Sequence, residues 1–265
     1  MTRLVSGAVL LAVAGGAAWY APSSWLMVVA AVVAALAFIE LARLFDALGA
    51  AVPRSLGVIL TAAACVFAAV PQAPLLPVLM TGAVFAAIWV VALGGPESRS
   101  ALAAPALVFA PLYIGVPLGL LINLHWLEGR EVALLLLLTV IASDTSQYYA
   151  GRMLGRTPLA PTISPKKTVE GALGGFAGGL ASMGWLGACW LPEMGVTARL
   201  VLGACIVGLG IVGDLFESAM KRAAHVKDSS ALIPGHGGML DRIDALLLAT
   251  PAYFFVLRYA WLAWR

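Results

Sequence analysis

The stretch VALLLLLTVIASDTSQYYA, residues 132–150, carries the fold of this chain in outline. From Leu134 to Val140 it is hydrocarbon with a single hydroxyl and no charge. With its flanks it approaches the roughly 20 residues that an α-helix needs to cross a bilayer. Asp144 then stands in the last third of the same run. A carboxylate inside an apolar helix is costly in lipid and is usually kept for function. The segment therefore points both to a membrane protein and to chemistry near one end of a span.

Composition extends that reading to the whole chain. Of 265 residues, 62% are hydrophobic and only 11% charged, with a mean hydropathy of +0.98. A soluble domain carries about a quarter charged residues, so this chain cannot clothe itself in polar surface, and the bilayer must be its main solvent. Cys65, Cys189 and Cys205 lie scattered in apolar stretches without metal or disulfide spacing and read as small hydrophobes.

Apolar runs bounded by Pro, Gly or charge predict an all-α, polytopic membrane protein of about nine spans. The expected helices are Leu4–Tyr20, Trp25–Phe45, Ser55–Val70, Pro77–Leu93, Ala101–Leu124, Val132–Ala150, Gly171–Leu191, Ala198–Glu217 and Met239–Trp261. The first, preceded by Arg3, has the pattern of a signal peptide but reads as an uncleaved helix, because spans follow it throughout. With the N-terminus cytoplasmic, 12 basic residues fall on the cytoplasmic side and 4 on the other (Arg130, Arg199, Arg258 and Arg265), a strong positive-inside bias. Residues 1–130 then form scaffold helices, and residues 131–265 a catalytic half with two cytoplasmic loops, 152–170 and 218–238.

Five acids converge at one depth in this topology: Asp144, Asp214, Glu217, Asp241 and Asp244. Asp214 and Glu217 are three apart and share a helix face, as do Asp241 and Asp244. They could pair with Arg152, Lys221, Arg222 and Arg242 as interfacial salt bridges. As a group beside basic, glycine-rich loops they read better as oxygen ligands for a hard cation such as Mg²⁺. The first loop places Ser164, Pro165, Lys166 and Lys167 just before a helix beginning near Thr168, where N–H groups and the helix dipole attract phosphate. Thr168 or Ser164 is the candidate cap. That helix carries glycines at 171, 174, 175, 178 and 179, a stripe that lets a second helix approach closely.

The second loop is more specific. It runs Ser218, Lys221-Arg222, Lys227-Asp228, Pro234-Gly-His236-Gly237-Gly238 and Asp241-Arg242-Ile-Asp244. Glycines around His236 permit backbone shapes in which N–H groups gather around an anion. This ordered set resembles the signature of the phosphatidate cytidylyltransferases, also called CDP-diacylglycerol synthases. The preceding Gly213-Asp214-Leu-x-Glu217-Ser218 and the Ser164–Gly171 run match the same family. The resemblance covers roughly residues 140–250 well; before residue 130 it is one of hydrophobic pattern. Around Asp144 the family usually reads Asp-x-x-Ala-Tyr, where this chain has Gln147 before Tyr148.

The resemblance implies transfer of CMP from CTP to phosphatidic acid, giving CDP-diacylglycerol and pyrophosphate for phospholipid synthesis. It implies Mg²⁺ as cofactor, with a monovalent cation such as K⁺ as a second candidate. It further implies membrane lipid around a homodimer in the inner membrane, an active site facing the cytoplasm, and no nucleic-acid partner. By the same resemblance Asp214 and Asp241 are metal ligands, with Glu217 and Asp244 beside them. Lys221, Arg222, Lys227, His236 and Arg242 act on phosphates. Ser164, Lys166, Lys167, Ser218, Asp228, Gly237, Gly238 and Asp144 contact substrate. A CTP-dependent polyprenol or phytol kinase, or a paralogue acting on another lipid phosphate, is the alternative. An ion-coupled transporter fits less well, since the chain shows no internal repeat and its acids cluster at one face. The Asp-Gly-x-x-Ala-Arg run of CDP-alcohol phosphatidyltransferases is absent.

Overall fold

A computed structural model describes residues 15–93, 101–226, 230 and 237–260 of the chain. Residues 15–20 are helical, and the helices that follow are α1 (Ser23–Ala47), α2 (Arg54–Ala69), α3 (Leu75–Leu93), α4 (Ala103–Leu127) and α5 (Arg130–Leu154). A short hairpin of β1 (Pro158–Ala160) and β2 (Ser164–Thr168) precedes α6 (Val169–Trp190), α7 (Val196–Ala223) and α8 (Leu240–Ala260). Among the described residues, seven helices are long and apolar enough to cross a membrane, and α2 is a shorter apolar helix of 16 residues. The chain is an all-α, polytopic membrane protein. Most of the expected helix Leu4–Tyr20 lies outside the described residues.

Two boundaries differ from the sequence reading. Helix α7 continues to Ala223, so Ser218, Lys221 and Arg222 stand on helical turns and not in a loop. The segment after Leu154 is not irregular: β1 and β2 pair antiparallel, with Pro158 opposite Thr168 and Ala160 opposite Ser164. A hydrophobicity pattern reports spans well and is blind to a five-residue polar strand such as SPKKT.

The chain divides into two compact units, one of residues 1–127 with 220–243, the other of residues 128–219 with 244–265. In the first, α4 lies against α2 through small residues. A Cβ added at Gly115 would fall 2.5 Å from the Thr61 carbonyl oxygen, and one at Gly119 would meet the Cys65 carbonyl oxygen. The Asn123 amide donates to the Ala68 carbonyl at 3.0 Å across the same contact. Pro111 begins a π-turn to Gly115, which accommodates the ring where a regular turn would clash with the preceding one.

In the second unit the glycine stripe does what its spacing predicts. Gly171, Gly174, Gly175 and Gly178 of α6 face Gln147, Ala150, Ser143 and Ser146 of α5, and Gly179 faces Val207 of α7. Helix α8 is anchored to α5 by the buried Tyr253, whose hydroxyl donates to the Val132 carbonyl at 3.0 Å. Arg258 pairs with Glu128 at 2.9 Å.

Gly174→Ala should lower the thermal unfolding midpoint in detergent, by an amount corresponding to about 1–3 kcal/mol of overpacking, because its methyl would overlap Ala150 Cβ. Gly184→Ala, with its nearest neighbour Leu200 Cδ2 at 3.6 Å, should be neutral. Equal midpoints for the two variants would show that the α5–α6 approach is not close-packed.

Candidate functional site

The polar residues of the second unit are assembled from the hairpin upward. Thr168 caps α6, its hydroxyl oxygen accepting from the Gly171 amide at 3.1 Å. Glu170, in the first turn, reaches back to the two residues just before β1. Its carboxylate accepts from the Arg156 amide at 3.0 Å, the Thr157 amide at 3.1 Å and the Thr157 hydroxyl at 2.9 Å. The two ends of the hairpin are thus fixed to one helix N-terminus. Successive residues of a strand point to opposite sides, so Lys166 is exposed while Lys167 turns inward.

Lys167 forms an ion pair with Asp214 of α7, and its side chain is only 13% exposed. Asp144 of α5 and Asp244 of α8 lie within Coulombic range of both Asp214 and Lys167. Three helices and a strand therefore bring three carboxylates within electrostatic range of one ammonium group, of which Asp214 alone pairs with it directly. Asp214 keeps 37% of its side chain exposed, so the cluster is open to a ligand. The Ser218 hydroxyl stands 3.5 Å from Asp214 Oδ1, one turn along α7. Glu217, on the same turn, is fully buried and does not share the exposure of Asp214. Gly213 lets α8 come close: a Cβ there would sit 2.5 Å from the Asp244 carbonyl oxygen.

The first unit holds its own polar cluster. Lys221 and Asp241 pair at 2.5 Å, both nearly buried, as the salt-bridge reading of these acids allows. Asp241 Oδ2 also accepts from the Gly238 amide at 2.8 Å, and Gly237 takes a left-handed φ of 78° to make that turn. The Gly238 N–H is thus committed to Asp241 and not to an anion. Arg222 donates to the Val226 carbonyl at 3.0 Å, closing the end of α7, and Arg242 is exposed. Lys227, Asp228 and His236 lie outside the described residues. Among those described, no three Asp, Glu, His or Cys side chains are gathered as a metal-binding group.

Two side chains escaped the sequence reading. In the sequence Glu170 reads only as part of a motif, although it fastens the hairpin. Glu40, a lone carboxylate in the apolar run Trp25–Phe45, is buried and accepts from Ser230, Met239 and Leu240. The rule that singled out Asp144, an acid within a span, would have found it. Arg152 donates to the Tyr148 hydroxyl at 3.2 Å. Gln147 fills the α5–α6 contact. A Cβ at Gly175 would lie 3.3 Å from it, and its Oε1 is buried without a hydrogen-bond partner among the described residues.

Comparison with known proteins adds an independent line. Residues 1–260 match the model of the cytidylyltransferase family. A phosphatidate cytidylyltransferase of Synechocystis sp. is 49% identical over 131 residues, covering 48% of this chain and 44% of the relative. One of Haemophilus influenzae is 40% identical over 138 residues, 49% of this chain and 48% of the relative. One of Thermotoga maritima is 34% identical over 194 residues, 71% of this chain and 70% of the relative. The chain spans about half the length of the first two.

Glu170→Ala should release the hairpin without unfolding the helices. Limited trypsin digestion should then cut after Arg156, Lys166 or Lys167 several-fold faster than in the unaltered protein. Unchanged cleavage rates would mean that strand pairing alone holds the segment.

Proposed function

The chain belongs to the cytidylyltransferase family, and from that premise we propose that it transfers CMP from CTP to phosphatidic acid. The products are CDP-diacylglycerol and pyrophosphate. The observation that carries this reading is the grouping of Asp144, Asp214 and Asp244 around Lys167. A site for two polyanions needs fixed cations and ligands for more of them, and this cluster offers both.

In this reaction a non-bridging oxygen of the lipid phosphate attacks the α-phosphorus of CTP. The bond from that phosphorus to the bridging oxygen of the β-phosphate breaks, and pyrophosphate leaves. The nucleophile is already an anion, so no strong general base is required. The barrier lies in bringing like charges together and in stabilising the leaving group. Lys167 is placed to exchange its carboxylate partner for a phosphate oxygen. Lys221, held by Asp241, offers the same exchange in its own cluster. Ser164 and Ser218 are hydroxyl donors to phosphate oxygens. Lys166, exposed on the hairpin, and Arg242 strengthen the positive field that draws nucleotide to the cytoplasmic face.

The donor set of the second unit is oxygen only, which fits Mg²⁺ better than a transition metal. Asp214 would be the ligand of the ion in the second unit, with Asp144 and Asp244 adding negative charge within electrostatic range, and Asp241 is the carboxylate of the first unit proposed for the same role. When bound, Mg²⁺ supplies Lewis-acid neutralisation of the phosphates and of the leaving pyrophosphate. The site belongs in this reading to the cytoplasmic side of the inner membrane, where CTP is available and the diacylglycerol tails remain in lipid.

The test is a cytidylyltransferase assay on the purified protein in detergent, with radiolabelled CTP and phosphatidic acid, with and without Mg²⁺. ATP and diacylglycerol serve as controls for a kinase. The expected result is a Mg²⁺-dependent CDP-lipid. Asp214→Asn should remain inserted and folded and lose more than about 100-fold in turnover, beyond what loss of an outer-shell partner costs. Phosphorylated diacylglycerol with no CDP-lipid would replace the transferase with a kinase.

A further inference from the structure

Glu40 stands in the second half of α1 with 2% of its surface exposed, in a helix whose neighbouring residues are almost all apolar. Its Oε1 accepts from the Ser230 hydroxyl at 2.5 Å and from the Met239 amide at 2.9 Å. Its Oε2 accepts from the Leu240 amide at 2.8 Å. Met239 precedes α8 and Leu240 opens it. The carboxylate therefore occupies the place where free N–H groups and the helix dipole favour negative charge. The next residue is Asp241, which accepts from Lys221 at 2.5 Å and from Gly238 at 2.8 Å.

We propose that Glu40 is a positioning residue for the reaction, one that fixes Asp241 and its Lys221 partner by holding Met239 and Leu240, the two residues just before Asp241, together with Ser230. The inference rests on the transferase reading, in which Asp241 serves the metal or the phosphates. The chemistry specifies a carboxylate. Two amides and a hydroxyl converge on two oxygens, and each oxygen is used. Glutamine would turn an NH₂ toward an N–H or O–H donor. Aspartate is one methylene too short to reach all three, and leucine would leave two helix-terminal amides buried without partners. The role differs from general stabilisation because the bonds end next to Asp241 and not in the apolar contacts of α1.

Three variants separate these roles: Glu40→Gln, Glu40→Asp and, as a structural control, Asn123→Ala. Asn123 makes a comparable buried bond in the same unit, to Ala68, remote in sequence from Asp241. Each is measured for thermal midpoint, kcat, KM for CTP and the Mg²⁺ concentration giving half-maximal rate. Hydrogen–deuterium exchange is followed in peptides covering residues 237–245. Glu40→Gln should lower kcat about 10- to 100-fold and raise the Mg²⁺ requirement, as loss of an outer-shell partner does. Exchange in 237–245 should quicken while α2 and α4 peptides stay protected. Glu40→Asp should recover part of each loss. Asn123→Ala should lower the midpoint and leave kcat per folded molecule unchanged.

Unchanged kcat and unchanged exchange in Glu40→Gln would overturn the proposal. So would an Asn123→Ala variant losing kcat to the same degree. If Glu40→Gln does not fold, Glu40→Asp carries the same comparison with the charge kept. If the unaltered protein makes no CDP-lipid, the transferase reading fails by itself. Exchange in 237–245 then still decides whether Glu40 holds Asp241 in place.

Discussion

A carboxylate buried among apolar helices has no water to turn to, and the polar contacts of Glu40 and Asp241 are arranged around that constraint. Removing one partner from a buried ion pair costs about 3–5 kcal/mol, since the other charge is left uncompensated. Three of the acids inside the helices are met by specific donors or cations. Asp214 has Lys167, Asp241 has Lys221 and the Gly238 amide, and Glu40 has a hydroxyl and two backbone amides. The pairing fixes where the charged side chains of Lys167 and Lys221 stand.

Those pairs can form only because backbones approach closely around them. Lipid tails are as apolar as leucine, so helices in a bilayer associate through packing and polar contacts and not through exclusion of water. Gly213 admits the α8 backbone beside Asp214, and the α6 stripe draws α5 and its Asp144 toward the helix that follows the Lys167 hairpin. A methyl group at either contact would displace a carboxylate as well as a helix. The hairpin itself is held by hydrogen bonds to a single acid at the start of α6, Glu170. A lysine on a loose loop would have no reason to dwell beside Asp214; one on a clamped strand does.

Much of this was legible in the sequence, for identifiable reasons. Long apolar runs made the helices visible, and the acids within them were conspicuous against that background, as with Asp144 and Asp214. The glycine stripe at 171–179 announced a close helix contact, which it makes. What stayed hidden is what a one-dimensional pattern cannot hold. Nothing in SPKKT marks a strand except its pairing with residues 158–160. Ser218 to Arg222 look like a polar loop and are helical, because α7 continues beyond the apolar stretch that defines its span. Glu40 looked isolated in an unremarked scaffold helix, since its partners lie 190 to 200 positions further along the chain. The role of Gln147 was likewise a matter of which helix it faces, and it faces Gly175.

That long separation has a consequence in time. The chain is made from its N-terminus at about 5–20 residues per second. The donors at Ser230, Met239 and Leu240 therefore emerge roughly 10 to 40 seconds after Glu40 at that rate. Through that interval the newborn α1 must be handed to the membrane with a carboxylate whose eventual partners do not yet exist. The start of α8 is what supplies the donors that α1 lacks until then. A chain cut short before residue 230 would leave the Glu40 carboxylate without the hydroxyl and the two amides that meet it.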